Sequence, residues 1–418
     1  MDTSRVIIIG AGIAGVCTAY YLNKAGYSVT VIEKGNGKDN CSYGNAGMIV
    51  PSHIIPLSSP GVISAGLRWM LDAESPFYIR PRLNLDLIQW LWKFKQASTH
   101  KHVEQSGPVL RDLLMASREL LIEIEEQEEI EFSYNRQGLF MFCNSEEGLK
   151  KEIKIAKQAK DIGVPVEVLS AGEVKKMEPG LEMNIVGATY YPNDAHLHPG
   201  SLMNRLKAIT VSRGVTYSYH THVTGIQSSG DTIDSVTTAD GEKFEGSLFI
   251  NCAGAWSASL MNMVDRDLPL QAGKGYSITL ENPAILPEYC GILSEKKVTI
   301  TPMYNSLRFA GTMEIVGTDT SINTKKINGL KKSVIDYLPQ FSMDDLNGQE
   351  IWTGLRPCSP DGLPYVGAID GFSNFYASTG HAMMGISMAP SSGKLLTDLI
   401  TYGKSELSSD LINPNRFN

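Results

Sequence analysis

A glycine-rich turn between a buried strand and a helix constrains this chain more than any other feature. The apolar run 5–9 predicts a strand buried on both faces, and residues 16–25 predict a helix. Between them stands Gly10-x-Gly12-x-x-Gly15, and a second strand, 28–32, ends at Glu33. The first glycine permits the tight turn, the second admits a pyrophosphate, and the third lets helix and strand pack closely. Because the helix N-terminus favours phosphate and the acid accepts hydrogen bonds from ribose, the unit predicts a dinucleotide site.

The rest of the chain mixes helices and strands without a simple repeat. Predicted helices cover 108–130, 146–162, 199–213 and 386–400; predicted strands cover 138–143, 215–219, 249–252, 276–280 and 297–315, and 223–250 reads as a meander. At about 150 residues per domain, 418 residues favour two or three domains. We predict an α/β fold with α+β insertions: a Rossmann-like domain and a discontinuous substrate domain built on a mixed or antiparallel sheet. The predicted nucleotide-binding domain comprises 1–60, 195–265 and 350–418, and the predicted substrate-binding or cap domain comprises 61–194 and 266–349.

Composition excludes several classes of protein. With 37 basic and 45 acidic residues the net charge is −8, so no nucleic-acid partner is expected. Glycines break the first apolar run, so no signal peptide is expected, and no run approaches the ~20 apolar residues of a membrane span. The six cysteines contain no CxxC pair and are expected to be reduced. We therefore expect a cytoplasmic protein, with peripheral contact on the inner face of the membrane as an alternative.

The single GxGxxG motif leaves two cofactors open. Either NAD is a mobile cofactor, or FAD is bound and the substrate reduces it directly. The segment 380–385 (GHAMMG) precedes the last predicted helix, and a helix N-terminus there favours the negative charge of a reduced flavin. The alternative interpretation of this segment is an ordinary loop that enters an amphipathic helix.

These motifs, in this order, resemble the FAD-dependent D-amino-acid oxidase superfamily, and within it the bacterial D-amino-acid dehydrogenase group (small subunit type). The resemblance spans nearly the whole length. It rests on GAGIAG (10–15) with Glu33, CSYGNAG (41–47), the aromatic segment 67–94, NCAGAW (251–256), KGY (274–276), GLRP (354–357), SPDGLP (359–364) and the segment 380–400. It implies FAD as the cofactor and an amino acid as the substrate.

The resemblance also implies which residues contact FAD. It places the loop from Asn45 to Met48 along the flavin ring, Ala253 and Gly254 beside the adenosine, and Gly380 to Ile386 over the pyrimidine end of the ring. The full set of implied cofactor contacts is Gly10, Gly12, Ile13, Ala14, Gly15, Glu33, Lys34, Ser42, Asn45, Ala46, Gly47, Met48, Val223, Ala253, Gly254, Gly380, His381, Met383, Met384, Gly385 and Ile386.

Arg356 is the main candidate for substrate binding. It matches the arginine that grips the substrate carboxylate in relatives such as glycine oxidase. Independently of the family, a guanidinium forks onto a carboxylate with two parallel hydrogen bonds and so orients Cα for hydride transfer. The alternative is a structural ion pair.

Further catalytic candidates are less specific. Tyr276 and, less favoured, Tyr304 are candidates to present a hydroxyl to the pocket, although buried tyrosines usually have partners anyway. His53 follows the predicted flavin loop, and His381 lies in the closing loop, where a backbone contact alone is an alternative. A lone histidine is more often structural than catalytic.

Two features admit other interpretations. His196-x-His198 and His220-x-His222 each place two histidines on one face of a strand, but neither has a third ligand nearby, so no metal is expected. Trp69, Trp90 and Trp92 suit either the core or a membrane surface.

The sequence and the resemblance together therefore predict FAD-dependent oxidation of a small amino acid, with the D configuration favoured, to an imino acid that hydrolyses to a 2-oxo acid and ammonia. The electron acceptor, quinone or oxygen, stays open. Alternatives are a D-proline or cis-4-hydroxy-D-proline dehydrogenase, a glycine/sarcosine-type oxidase, a non-catalytic flavin-binding partner subunit, and an NAD-dependent dehydrogenase.

Overall fold

The computed structural model describes residues 5–418. The strands in this range are β1 Arg5–Ile9, β2 Ser28–Ile32, β3 Met48–Ile49, β4 Phe77–Ile79, β5 Leu139–Cys143, β6 Glu167–Ser170, β7 Gly187–Tyr191, β8 Ala195–His196, β9 Thr216–Ser218, β10 Val223–Ser229, β11 Thr232–Thr238, β12 Lys243–Glu245, β13 Leu248–Asn251, β14 Gln271–Glu281, β15 Cys290–Leu293, β16 Val298–Met303, β17 Ser306–Ile315, β18 Ile351–Cys358, β19 Tyr365–Ala368 and β20 Phe375–Thr379. The α-helices in the same range are α1 Ile13–Lys24, α2 Val62–Trp69, α3 Leu85–Ala97, α4 His100–Gln127, α5 Glu146–Asp161, α6 Ala171–Met177, α7 Pro199–Ser212, α8 Ser257–Asn262, α9 Thr324–Tyr337, α10 Met343–Leu346 and α11 Gly385–Tyr402. Short 3-10 helices cover Gly254–Trp256, Ala382–Met384 and Asp410–Ile412.

The first sheet is a twisted, mostly parallel sheet in the order β19-β20-β13-β1-β2-β9. β1 lies at its centre, parallel to β2 on one side and to β13 on the other. Val6 and Ile8 pack toward α1, α4 and α11, whereas Ile7 and Ile9 pack toward β10, β11 and α8. Burial on both faces explains why β1 is apolar at every position from Val6 onward instead of alternating.

The second sheet is mixed, in the order β18-β14-β17-β16-β15-β5-β7-β6, with β4 paired to β17. The pairs β15–β5 and β17–β4 are parallel, and the other pairs are antiparallel. Helix α9 packs its apolar side on this sheet through Ile327, Leu330 and Val334. The two sheets confirm the predicted α/β class, with a Rossmann-like unit and a second, mixed sheet.

Two segments lie elsewhere than the predicted domain boundaries imply. Strand β18 (351–358) was predicted within the nucleotide-binding domain, but it pairs with β14 and so belongs to the second sheet. Helix α4 was predicted within the substrate domain, but Leu110, Leu113 and Leu114 pack with Val6 and Ile8 of the first sheet. Both differences have one cause. The segments against which β18 and α4 pack lie far away in the sequence, so local patterns do not identify them.

Candidate functional site

A cavity of about 1090 Å³ runs between the two sheets. The parallel strands β1, β2, β13 and β20 direct their carboxyl ends into it, because the residues that follow each of them line its wall. Ligands of open α/β sheets bind at such carboxyl ends. The other wall comes from the second sheet and includes Thr312, Trp352 and Arg356.

The glycine motif shapes one end of the cavity as predicted for the turn. Gly10 has φ +111°, and a Cβ there would collide with the carbonyl oxygen of Cys252. A Cβ on Gly15 would collide with the carbonyl oxygen of Gly10, so only glycine lets α1 begin this close to β1. Ser42 accepts a hydrogen bond from the Ile13 amide at 2.9 Å, which ties the following loop to the helix N-terminus.

Glu33 is buried at the end of β2 and held by the backbone. Its two carboxylate oxygens accept hydrogen bonds from the amides of Ala11 at 2.8 Å and Gly35 at 3.0 Å. A carboxylate has capacity for about four such bonds, so acceptor sites remain for ribose hydroxyls in the cavity. The neighbouring Lys34 stands over the Trp256 ring, 3.0 Å from its centroid, and both line the same end.

Hydrogen bonds from the second sheet hold the loop after β2 in place. Arg308 of β17 donates to the carbonyl oxygens of Tyr43 at 3.0 Å and Asn45 at 2.7 Å. Burial lowers the pKa of this guanidinium to about 10, so it stays charged at neutral pH. Asn45 also donates to the Met383 carbonyl at 3.2 Å and thus joins this loop to the C-terminal one. Arg308 is not among the residues predicted from the sequence, although a charged side chain within a mostly apolar run such as 306–315 is a signal that could have identified it.

The C-terminal loop closes the cavity and leads into α11. Gly380 has φ +77°, and His381 is buried with its Nε2 2.9 Å from the Ser392 hydroxyl. Burial lowers the pKa of His381 to about 4, so the ring is neutral and its visible contact is structural. The first residues of α11 line the cavity, so the positive end of this helix faces the interior.

Arg356 lies on the cavity wall without an acidic partner. Its Nη1 donates to the Thr312 carbonyl at 2.5 Å, and a Cβ on Gly275 would collide with the guanidinium. Among residues 5–418 no carboxylate lies within ion-pair distance of Arg356, so the structural ion pair considered as an alternative is not seen there. Desolvation lowers its pKa, but an arginine remains charged in proteins. An unpaired cation in a cavity has donors available for an anionic ligand.

The two tyrosines lie differently from the expectation. Tyr276 borders the cavity, but its hydroxyl donates to buried Glu314 at 2.5 Å and accepts from the Asn323 amide at 3.2 Å. Along β14, Tyr276 has the opposite orientation to Gly275, which faces Arg356, so its hydroxyl is directed away from that guanidinium. Tyr304 is 53% exposed in the turn between β16 and β17, outside the cavity wall.

His53 lies on the cavity wall at the start of a polar chain. Its Nδ1 is 3.2 Å from the Ser52 hydroxyl, which donates to Asp194 at 2.5 Å. Because Ser52 uses its proton on Asp194, it accepts from Nδ1–H, and Nε2 of His53 is left as an acceptor. Burial and the nearby Lys297 lower the pKa of His53 to about 4, and burial raises that of Asp194 to about 7.

Most residues implied for the cofactor share this one cavity. The cavity wall includes Gly10, Gly12, Ile13, Ala14, Glu33, Lys34, Ser42, Asn45, Ala46, Met48, Val223, Ala253, Gly254, His381, Met383, Met384, Gly385 and Ile386. Gly15, Gly47 and Gly380 are not on the wall; they allow close packing behind it. The cavity wall also includes Thr299, Thr312 and Trp352 of the second sheet, which no local sequence pattern identifies.

The remaining histidine and tryptophan candidates do not form a metal site, although His222, Trp69 and Trp90 line the cavity. His196 is buried on β8, His198 caps α7 through Nδ1, and His220 has φ +55° and lies outside a strand. Within the described range no group of three His, Cys, Asp or Glu residues is arranged to hold a metal ion. Trp90 is buried and donates to the Cys358 carbonyl at 2.9 Å, whereas Trp92 is 60% exposed.

Comparisons with known proteins agree with this arrangement. Residues 5–399 match the family model described as FAD dependent oxidoreductase. The chain is 30% identical to D-amino acid dehydrogenase of Helicobacter pylori, over 98% of this chain and 97% of that one. It is 31% identical to D-amino acid dehydrogenase of Methylobacterium radiotolerans, over 99% of each. Among solved structures, it is similar to glycine oxidase from Geobacillus kaustophilus, with a TM-score of 0.78 and 24% identity over 99% of each chain. It is also similar to L-proline dehydrogenase from P. horikoshii, with a TM-score of 0.75 and 20% identity over 100% of this chain and 98% of that one.

Proposed function

Since the chain belongs to the family of FAD-dependent oxidoreductases, we propose that it oxidises the Cα–N bond of a D-amino acid. The product is an imino acid, which water hydrolyses to a 2-oxo acid and ammonia. Support for an amino-acid substrate comes from the full-length relatives named D-amino acid dehydrogenase and from the chemistry of the cavity. A mobile nicotinamide cofactor, the alternative left open by the glycine motif, does not suit the family.

The residues present fit FAD. A Cβ on Gly12 would have only the Ser42 hydroxyl within 4 Å, at 3.6 Å, so the backbone there is open to a ligand in the cavity. Glu33 keeps free acceptor sites at one end, and the cavity continues past Asn45 to the start of α11. When bound, FAD accepts a hydride at N5 and thus supplies the redox chemistry that side chains lack. We propose the implied cofactor residues on the cavity wall as its contacts.

The position of the Arg356 guanidinium on the cavity wall is the observation that carries the proposal. Its guanidinium has no carboxylate partner in the described part of the chain, and it faces a cavity large enough for cofactor and substrate together. A bidentate contact to the α-carboxylate fixes the position and rotation of the substrate, which places the Cα–H bond toward the ring. The Thr312 carbonyl holds the guanidinium from behind and keeps its orientation.

The substrate amine has to lose a proton before hydride leaves Cα. We propose that solvent at the cavity mouth takes this proton. His53 is a candidate to accept a hydrogen bond from the amine, because Nε2 is the nitrogen left without a proton by the Ser52–Asp194 contact, but its pKa of about 4 makes its ring too weak a base to hold the proton. Tyr276 is not part of this proposal, since Glu314 and Asn323 occupy its hydroxyl.

We also propose that the protein contacts a membrane surface through α2, α3 and their connection. Leu67, Leu71, Leu83, Ile88 and Trp92 are all more than half exposed there. Residues of α2 and α3 also line the cavity, so a lipid-soluble quinone has a short path to the cofactor. None of the helices described between residues 5 and 418 is long and apolar enough to cross a membrane. Sedimentation with anionic vesicles tests the contact, and Leu67→Ser with Trp92→Ser should abolish it.

Anaerobic flavin bleaching tests the main proposal. The purified holoprotein is mixed with D-alanine, L-alanine, glycine, sarcosine and both prolines in turn. Rapid loss of the flavin absorbance with D-alanine supports the proposal, and a preference for glycine, sarcosine or a proline moves the assignment to the alternatives. Slow recolouring in air with fast recolouring by a soluble quinone identifies a dehydrogenase. A flavin that no amino acid bleaches refutes the activity and favours a non-catalytic partner subunit.

A further inference from the structure

Besides Lys34 at the nucleotide end and Lys95 on α3, another lysine, Lys297, lines the same cavity as Arg356. It stands in the turn between β15 and β16, in the left-handed region with φ +55°. Within residues 5–418, no carboxylate lies within 4.0 Å of its ammonium group, whereas its neighbour Lys296 pairs with Asp336 at 3.7 Å. Lys297 therefore carries a charge that the described part of the chain does not neutralise by contact.

Lys297 and Arg356 belong to one end of the cavity. Arg356 is bonded to the carbonyl of Thr312, and a Cβ on the adjacent Gly311 would lie 3.3 Å from the Lys297 carbonyl. Consecutive Cα atoms are only about 3.8 Å apart, so the guanidinium of Arg356 and the backbone of Lys297 lie beside neighbouring positions of β17. A lysine side chain is long and flexible enough to reach a ligand group beside the one that Arg356 holds.

The charges around this end have one sign. Glu33 and Asp39 are the acids among the described residues that line the cavity, and both follow β2 at the nucleotide end. His53, whose pKa is lowered by burial and by Lys297, is neutral at pH 7. An α-carboxylate neutralises Arg356 alone, which leaves Lys297 as a second positive charge in a largely apolar wall.

We propose that the preferred substrates are D-amino acids with a carboxylate side chain, D-glutamate and D-aspartate, and that Lys297 binds this second carboxylate. The proposal rests on the proposed function, because it uses Arg356 for the α-carboxylate. Lys297 is then a residue that determines specificity. Since it is exposed at the rim, its contribution is modest and weakens with salt.

The test compares acids with their neutral isosteres. Anaerobic flavin reduction is measured with D-glutamate, D-glutamine, D-aspartate and D-asparagine at low and high ionic strength. We expect kcat/KM to favour each acid over its amide, and the ratio to fall with salt. Lys297→Gln should lower kcat/KM for D-glutamate by up to about fivefold and for D-glutamine by less than about twofold, and Lys297→Glu should reverse the preference.

Lys296→Gln is the matched control, since it removes the adjacent cation that faces Asp336 and leaves the cavity unchanged. Flavin content and Tm of each variant show that it is folded. Two results would overturn the inference: equal rates with D-glutamate and D-glutamine in the parent, or an equal loss of rate for both substrates in Lys297→Gln. In either case, reduction of the flavin by D-glutamine would still support the proposed function. Failure of every amino acid to reduce the flavin overturns both.

Discussion

Replacing Arg356 separates binding of the substrate from stability of the fold. Arg356→Lys keeps the positive charge but loses the planar group that makes two parallel hydrogen bonds. Arg356→Met loses both the charge and the hydrogen bonds. A hydrogen bond to a charged group contributes about 1.5–3 kcal/mol. Loss of one such bond in Arg356→Lys predicts a decrease in kcat/KM of about 10- to 150-fold, and loss of both in Arg356→Met predicts about 3–6 kcal/mol, or at least about 150-fold.

Stability should not follow activity in these variants. Arg356 makes a single hydrogen bond to Thr312 and, among residues 5–418, no ion pair, while its burial disfavours the charge. We therefore expect Arg356→Met to leave Tm unchanged or raise it. Stopped-flow flavin reduction without oxygen gives the limiting rate and the substrate Kd, and calorimetry gives Tm.

The control is Arg266→Met, because Arg266 donates to the Asp370 carbonyl at 2.9 Å on the surface and does not line the cavity. A kcat/KM for Arg356→Met within about threefold of the parent would refute the assignment of the carboxylate site. A large fall in Tm that accounts for the lost activity would do the same, since it would make Arg356 structural.

Three further changes probe the cofactor site and its support. Glu33→Gln should weaken FAD binding by about 5- to 30-fold through loss of a charged ribose acceptor, measured by flavin fluorescence titration of the apoprotein; an unchanged Kd would contradict the ribose role. Gly15→Ala should yield apoprotein or unfolded protein, because its Cβ meets the Gly10 carbonyl, and retention of FAD with the parental Tm would contradict this packing. The pKa of Asp194, raised to about 7, means that the folded state binds a proton more tightly than the unfolded state, so this stability is fully present below about pH 4 and lost as pH rises through about 7. Asp194→Asn should therefore flatten the decline of the free energy of unfolding between about pH 4 and 7, which is at most about 1.4 kcal/mol per pH unit and is followed through Tm; an identical decline in the variant would show that another group titrates.

The sequence predicts those parts of the site that depend on residues close together in the chain. The run 5–9, the spacing of Gly10, Gly12 and Gly15, and Glu33 at a strand end lie within one βαβ unit, and their physical roles follow from short-range geometry. The fold class follows for the same reason.

Other parts of the site depend on distant pairing. Tyr276 lies in a strand that is buried on both faces, so no alternation of polar and apolar residues shows which way its hydroxyl points. The partners of Arg308 are 263 and 265 residues away in sequence, and the cavity position of Lys297 depends on the register of β15, β16 and β17. The packing of α4 on the first sheet is equally non-local.

The close crossing of α1 and α11 has a consequence for biosynthesis. Helix α11 packs on α1 so tightly that a Cβ on Gly393 would lie 2.9 Å from the backbone of Cys17 and Thr18. The first and last helices of the Rossmann-like unit therefore need each other, and β1 needs β13 as a neighbour. The ribosome has to release the chain as far as α11 before these contacts close, so we expect the N-terminal unit to expose apolar surface until then. We expect flavin to bind stably only after α11 has packed on α1.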